Sequence, residues 1–328
     1  MAATSRQERK PVSRFEKTAP EPRVAFYSDD SLEILGFATD SLDRGHRIAL
    51  LFLVEIRGGA ARPLGAQMAV REDGLYCGFV SGGCTESALA AEALLAIEQG
   101  VDRTVRLGEG SPFFDIALPC GGGITIAIHV VRSGSVLRHL VCKLQGRDRI
   151  CLRYIPSSET LCLESGEGRT SWEDGSFIRL YRPRIRVILA GRSIETQTVA
   201  RVAASAGYAV LLLDRDKVPS RDQLDQDTAV ALMNHDLELD LPLLSCALTS
   251  PAFYIGALGS SRTHARRREA LLAHGYGEAD IARVKAPIGI FDKARDSSAL
   301  ALSVVADIAH ARQSASGRRG DVGAQGLG

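Results

Sequence analysis

Two thiols in glycine-rich surroundings are the first chemistry-bearing residues of this chain. Cys84 lies in Val80-Ser81-Gly82-Gly83-Cys84-Thr85-Glu86, and Cys120 in Pro119-Cys120-Gly121-Gly122-Gly123. Adjacent glycines let successive backbone N–H groups converge into an anion-binding nest. A thiol at the start of a helix has its pKa lowered by the open N–H groups and the helix dipole. Either cysteine alone reads as a small, inert side chain beside a tight turn. Together with Gly58-Gly59-Ala60-Ala61-Arg62-Pro63 they point to a pocket formed by Cys84, Cys120, Gly82, Gly83, Glu86, Gly121, Gly122 and Arg62. Soft sulfur donors suit a metal-bearing or sulfur-rich ligand better than acid–base chemistry. No Cys-x-x-Cys pair is present, so a structural zinc site is not expected.

A second group of candidates lies further along. Gly191-Arg192-Ser193-Ile194-Glu195-Thr196 follows a strand-like run, where a dinucleotide fingerprint sets glycines at 191, 193 and 196. Only Gly191 fits. Asp214, 23 residues on, stands where a carboxylate would hold a ribose hydroxyl. The alternative is a Rossmann-shaped domain without a dinucleotide, in which Asp214 merely ends a strand and the helix start takes a phosphate. Gly256-Ala257-Leu258-Gly259-Ser260-Ser261-Arg262 offers glycines for close approach, two hydroxyls and a guanidinium fork. Asn234-His235-Asp236 ends a neighbouring strand, with His235 either a structural hydrogen-bonder or part of the site. The prediction is one cleft holding Gly191, Asp214, Gly259, Ser260 and Arg262, beyond the carboxyl ends of the strands.

Those residues need elements to hold them. The apolar runs IALLFLVEI, AQMAV and ITIAIHVV read as strands, and Glu86–Gln99 carries Leu89, Ala93, Leu94 and Ile97 at helical spacing. From Ile185 onward, strand-like IRVILAG, YAVLLLD, TAVALMN and FYIGALGS alternate with helix-like blocks, including 195–206 and a basic 262–274. That alternation predicts a doubly wound parallel sheet. The fold class is therefore α/β: a C-terminal Rossmann-like sheet preceded by an α+β domain. The divisions read as a tail over 1–22, a first domain over 23–131, a connecting segment or hairpin layer over 132–183, the Rossmann-like domain over 184–313, and a second tail over 314–328.

Composition limits the function classes. At 328 residues with 45% apolar and 24% charged side chains, the chain builds cores without cross-links. Lys+Arg 40 against Asp+Glu 39 gives no basic field for nucleic acid or anionic lipid. No apolar run approaches the ~20 residues that span a bilayer. The N-terminal stretch lacks the apolar core of a secretory signal, so the expected compartment is the cytoplasm and the seven cysteines are expected as thiols.

The ordered series GGAARPLGAQM, VSGGCTES, LPCGGG, the 191–196 turn, MNHD, YIGALGSSR and APIGI resembles the XdhC/CoxI family, over about residues 45–131 and 185–312. Members are accessory proteins of xanthine dehydrogenase- and CO dehydrogenase-type molybdenum hydroxylases. The resemblance implies an XdhC/CoxI-type first domain and a dimeric chaperone without turnover of its own. It would bind molybdenum cofactor (molybdopterin, in its mononucleotide or cytosine dinucleotide form) and protect it during sulfuration by a cysteine desulfurase. Delivery to an apo molybdenum hydroxylase would follow. Members often carry a fuller glycine turn where Ser193 and Thr196 stand here. Two other readings stay open: an NAD(P)-dependent oxidoreductase using that turn, Asp214 and His235, and a purely structural assembly subunit.

Overall fold

The structure, a computed structural model, describes residues 20–83, 85–108, 121–214, 217–234 and 236–317. The chain divides into two compact units, the first ending at Tyr181 and the second starting at Arg182.

The first unit runs β1 (Arg23–Phe26), α1 (Ser31–Asp43), β2 (Ile48–Arg57), β3 (Gln67–Arg71), β4 (Leu75–Gly78), α2 (Glu86–Gln99), β5 (Arg103–Gly108) and β6 (Gly123–Val130). It continues with α3 (Ser135–Gln145), β7 (Ile150–Ile155), β8 (Thr160–Ser165), β9 (Ser171–Glu173) and β10 (Ser176–Tyr181). Six strands form a mixed sheet in the order β1-β4-β3-β2-β6-β5, with only β1 and β4 paired in parallel. The run of β2 is apolar on both faces because both are covered. Leu50, Phe52 and Val54 pack with Ile34 and Leu35 of α1, Leu137 and Leu140 of α3, and Tyr154, Phe177 and Tyr181. Ala49, Leu51 and Leu53 pack with Leu89, Ala93 and Ile97 of α2 on the other face.

The second covering layer is an antiparallel sheet, β8-β7-β10-β9. Residues 132–181, expected as a connecting segment or hairpin layer, therefore fold as α3 plus this sheet and share the first unit's core. Trp172 of β9 ties the two sheets together, its indole Nε1–H donating to Val54 O at 2.7 Å.

The second unit runs β11 (Arg186–Ala190), α4 (Ile194–Ser205), β12 (Ala209–Leu213), β13 (Thr228–Leu232), α5 (Leu237–Leu248), β14 (Tyr254–Ala257), α6 (Ser261–Ala273), α7 (Glu278–Ile281), β15 (Val284–Lys285) and α8 (Ser297–Gly317). Its five strands are all parallel, in the order β12-β11-β13-β14-β15. One face carries Val199 and Ala203 of α4 with Ala301, Val304 and Ile308 of α8. The other carries Leu243 and Leu244 of α5, Leu271 of α6 and Ile281 of α7. The sheet is doubly wound, and strand order reverses between β11 and β13. Helix α8 takes in the first four residues of the tail expected from Ser314, a run of small residues. Among the described residues no helix is long and apolar enough to cross a membrane.

Candidate functional site

The turn from β4 into α2 is organised by its last residue. Glu86 is 1% exposed, and its carboxylate accepts from the backbone N–H groups of Val80 (3.0 Å), Ser81 (2.8 Å), Gly82 (3.2 Å), Gly83 (2.9 Å) and Thr85 (3.3 Å). The Ser81 hydroxyl adds a further bond at 2.8 Å. Burial pushes the Glu86 carboxyl up, but the donors, those of Ser81 first, outweigh it and hold its pKa below the ordinary value. The nest expected of Gly82 and Gly83 thus exists and is filled by the protein's own anion. The N–H groups of Gly82 and Gly83 face Glu86, whose carboxylate organises the loop from within.

Three glycine loops meet here. A Cβ on Gly122 would overlap the carbonyl oxygens of Arg57 and Gly59, so only glycine permits that approach. A Cβ on Gly58 would stand 3.6 Å from Gly122 Cα, and one on Gly82 only 3.1 Å from the Ala61 methyl. The 58–62 loop therefore touches both the 81–83 loop and the 121–122 segment. Cys84 follows Gly83, and Cys120 precedes Gly121; both lie outside the described residues. Beside Cys84, Thr85 is 4% exposed and its hydroxyl has no hydrogen-bond partner among the described residues. Arg62, at the end of the middle loop, pairs with Asp29 at 2.8 Å. Among the described thiols, Cys77 of β4 is pushed up to about 12 by burial and is inert packing.

In the second unit, Gly191, Asp214, Gly259, Ser260 and Arg262 all lie just beyond the carboxyl ends of parallel strands or at the helix starts that follow. His235 lies outside the described residues. The turns before α4 and α6 are built alike. Ser193 caps α4 by accepting from Thr196 N at 3.3 Å, and Ser260 caps α6 by accepting from Thr263 N at 3.3 Å. In each, the threonine crowds the glycine: a Cβ on Gly191 would stand 2.6 Å from Thr196 Oγ1, and one on Gly259 would stand 3.1 Å from Thr263 Cβ. Asp214 forms ion pairs with Arg192 and Lys217, each at 3.4 Å and well exposed. The pyrophosphate turn of a dinucleotide site is occupied by serine and threonine side chains, and the carboxylate that would hold a ribose already faces two cations.

A cleft of about 750 Å³ opens on this edge, lined by Asn234, Asp236, Glu238, Thr263 and Arg266 among others, and by none of the candidates among the described residues. Below it, Arg267 is 1% exposed and binds Asp240 through Nε (2.9 Å) and Nη2 (2.6 Å), while its Nη1 and Asp240 Oδ1 have no partner among the described residues. Burial pushes the Asp240 carboxyl above its ordinary range in spite of the guanidinium. Arg262, expected as the anion fork, is exposed at the second position of α6.

A family model described as the XdhC Rossmann domain matches residues 187–308, and one described as the XdhC and CoxI family matches 41–108. The molybdenum cofactor insertion chaperone PaoD of Escherichia coli K12 is 48% identical over 292 residues, covering 89% of this chain and 92% of PaoD. The chain belongs to the XdhC/CoxI family. A probable xanthine dehydrogenase subunit of Bacillus subtilis 168 is 24% identical, over 83% of this chain and 95% of that one. A crystal structure of a xanthine dehydrogenase from Bacillus halodurans matches with a TM-score of 0.67 at 20% identity, over 86% and 96% of the two chains. That likeness concerns the fold alone.

Two arginines of this XdhC/CoxI chain escaped sequence reasoning. Arg267 stands in the basic run Arg266-Arg267-Arg268, which reads as a solvated face. Its signal was its place four residues before the buried Leu271, on the same helix stripe. Arg179 of β10 is flanked by apolar residues in SFIRLY and lines a first-unit cleft with Arg62.

Proposed function

We propose that the chain is an accessory chaperone that takes up molybdenum cofactor as cargo and delivers it to an apo molybdenum hydroxylase of the xanthine, aldehyde or CO dehydrogenase type. The observation that carries this reading is the 48% identity to a molybdenum cofactor insertion chaperone across 89% of the chain. The meeting of three glycine loops in the first unit supports it, with backbone close-packed and almost bare of side chains next to the positions of Cys84 and Cys120. A sulfur-rich, metal-bearing cargo fits such a rim, because thiolates bind soft centres and glycines let a bulky ligand reach them. Cys84 is assigned direct contact and Cys120 a weaker one, with Gly82, Gly83, Gly121, Gly122 and Arg62 around them and Glu86 holding the loop that carries Cys84. In the second unit, Gly191, Asp214, His235, Gly259, Ser260 and Arg262 are assigned an anion-holding edge. Protection of the cargo during sulfuration by a cysteine desulfurase, a homodimer and a cytoplasmic setting belong to the same reading.

The test is the metal and pterin content of protein purified from a molybdenum-replete host. Stoichiometric pterin and molybdenum are expected in the wild type, with most of both lost in Cys84→Ala and part in Cys120→Ala. Cys246→Ala, in α5 of the second unit, should retain the full load. Wild-type protein that carries neither component, even after incubation with released cofactor, overturns the reading.

A further inference from the structure

The first unit holds a cleft of about 210 Å³ whose walls include Arg62, Arg179, Gln67, Phe79 and Thr170. Arg179 donates through Nη1 to the Tyr181 hydroxyl (3.0 Å) and through Nη2 to Ser31 Oγ (2.8 Å), with its guanidinium 4.2 Å from the Tyr181 ring centroid. All of these partners are neutral, and no carboxylate forms an ion pair with it among the described residues. Nor does Tyr181 become a counter-ion. It is 1% exposed, burial pushes its pKa up to about 12, and its hydroxyl is spent on Gln67 Oε1 at 2.6 Å. Among the described residues Arg62 has one partner, Asp29, whose side chain is 72% exposed and therefore screened by solvent. Two guanidinium groups thus line one cleft whose lining, among the described residues, holds a single carboxylate, the water-bathed Asp29. A cation withdrawn from water without a counter-charge is costly, and an anion entering the cleft would remove that cost. Guanidinium forks match the oxygens of phosphate.

Size narrows the ligand. At ~30 Å³ per water the cleft holds roughly seven waters, room enough for a phosphoryl group and its ester oxygen but too small for a whole nucleotide. Position narrows it further. Arg62 follows Ala61, which meets Gly82, and Phe79 precedes Val80, whose N–H is bound by Glu86. The cleft therefore adjoins the glycine loops along two chain segments.

We propose that Arg62 and Arg179 form a phosphoryl-binding subsite, taking the terminal phosphate of a ligand whose remainder lies against the glycine loops. The phosphate subsite stands on the cleft alone; its connection to the loops rests on the reading that they seat the cofactor.

Calorimetric titration of the full chain with pyrophosphate and with inorganic phosphate tests the subsite, and pterin and molybdenum content of the same preparations tests the connection. Saturable pyrophosphate binding is expected in the wild type, weakened about tenfold or more in Arg179→Gln. Arg179→Lys should fall between, since it keeps the charge and loses the fork, and Arg62→Gln should weaken binding by a smaller factor. Cofactor content should fall in the same order. Absence of wild-type binding to either anion, or equal affinity in all four proteins, overturns the subsite. If Arg179→Gln fails to fold, Arg179→Lys and Arg62→Gln decide by the same criterion. Full cofactor retention by a folded Arg179→Gln overturns the link to the cargo and leaves the chaperone reading intact. Pyrophosphate binding in wild-type protein that retains no cofactor does the reverse.

Discussion

The turn before α2 and the turns before α4 and α6 follow one recipe, glycine leading into a helix N-terminus, and differ in what fills them. In the first unit the filling is a full negative charge, the Glu86 carboxylate, bound by five backbone N–H groups and a hydroxyl. In the second unit it is a neutral serine cap, with a threonine against the glycine. Every helix start leaves four N–H groups open, and a serine cap satisfies one. The second-unit turns therefore keep capacity for an outside anion that the first-unit loop has lost. In the first unit positive charge reaches a ligand through side chains instead, at Arg62 and Arg179. A glycine-rich helix start is thus an anion site only after the protein's own acceptors have been counted.

Substitutions can break this comparison at either end. The largest effect is expected from Arg267→Met, which strands Asp240, 0% exposed, in the core and should cost about 3–5 kcal/mol. Trp172, the single tryptophan, belongs to the first unit, so the loss should appear in the helical dichroism transition and not in tryptophan fluorescence. A matching shift in fluorescence would show that the units unfold as one. Next comes Glu86→Gln, expected to cost about 2–3 kcal/mol through loss of a buried, charge-assisted acceptor, this time visible in Trp172 fluorescence.

The pH dependence of that second effect has a definite sign. Because the folded Glu86 pKa is lowered, its contribution is complete above the ordinary glutamate value of about 4.3 and disappears as pH falls through the lowered one. The stability gap between wild type and Glu86→Gln should be flat from pH 6 to 8 and close in acid; a gap that widens in acid would reverse the assignment. Ser193→Ala and Ser260→Ala should cost about 1 kcal/mol each by denaturant titration, the ordinary value of a neutral cap. The smallest response is expected from NAD(H) and NADP(H), with no micromolar binding by calorimetry. Such binding would show that the filled 191–196 turn opens for a dinucleotide after all.

Much of the second unit was legible because its signals are local. Each buried strand is a short apolar run ending at a glycine or polar turn, and β11, β12, β13 and β14 fall inside the runs that predict them. Helix α2 matches its prediction, Glu86–Gln99, with an apolar stripe and Gly100 as a left-handed stop. Helix α5 was harder, because Pro242 interrupts its pattern. The sheet built from 150–181 escaped a firm assignment because β8 is half-exposed throughout and turns fall every few residues. At the sites, the sequence showed where glycines cluster but not the direction of their N–H groups, which depends on a carboxylate several residues on. Arg179 and Arg267 were hidden for the opposite reason: burial of a charged side chain is decided by tertiary neighbours, here Tyr181 and Asp240.

The bond set of Glu86 bears on timing. Residues 80–83 and 85 are tied to the first turn of α2 by one side chain, so this stretch moves with its helix and is set before any cargo arrives. Capture then avoids the ordering entropy that a slack loop would add, which favours affinity. The same ties oppose one route for letting go, since melting of residues 80–83 would have to break them. Under the proposed function, handover from such a rim would fall to the recipient, which must outcompete it contact by contact.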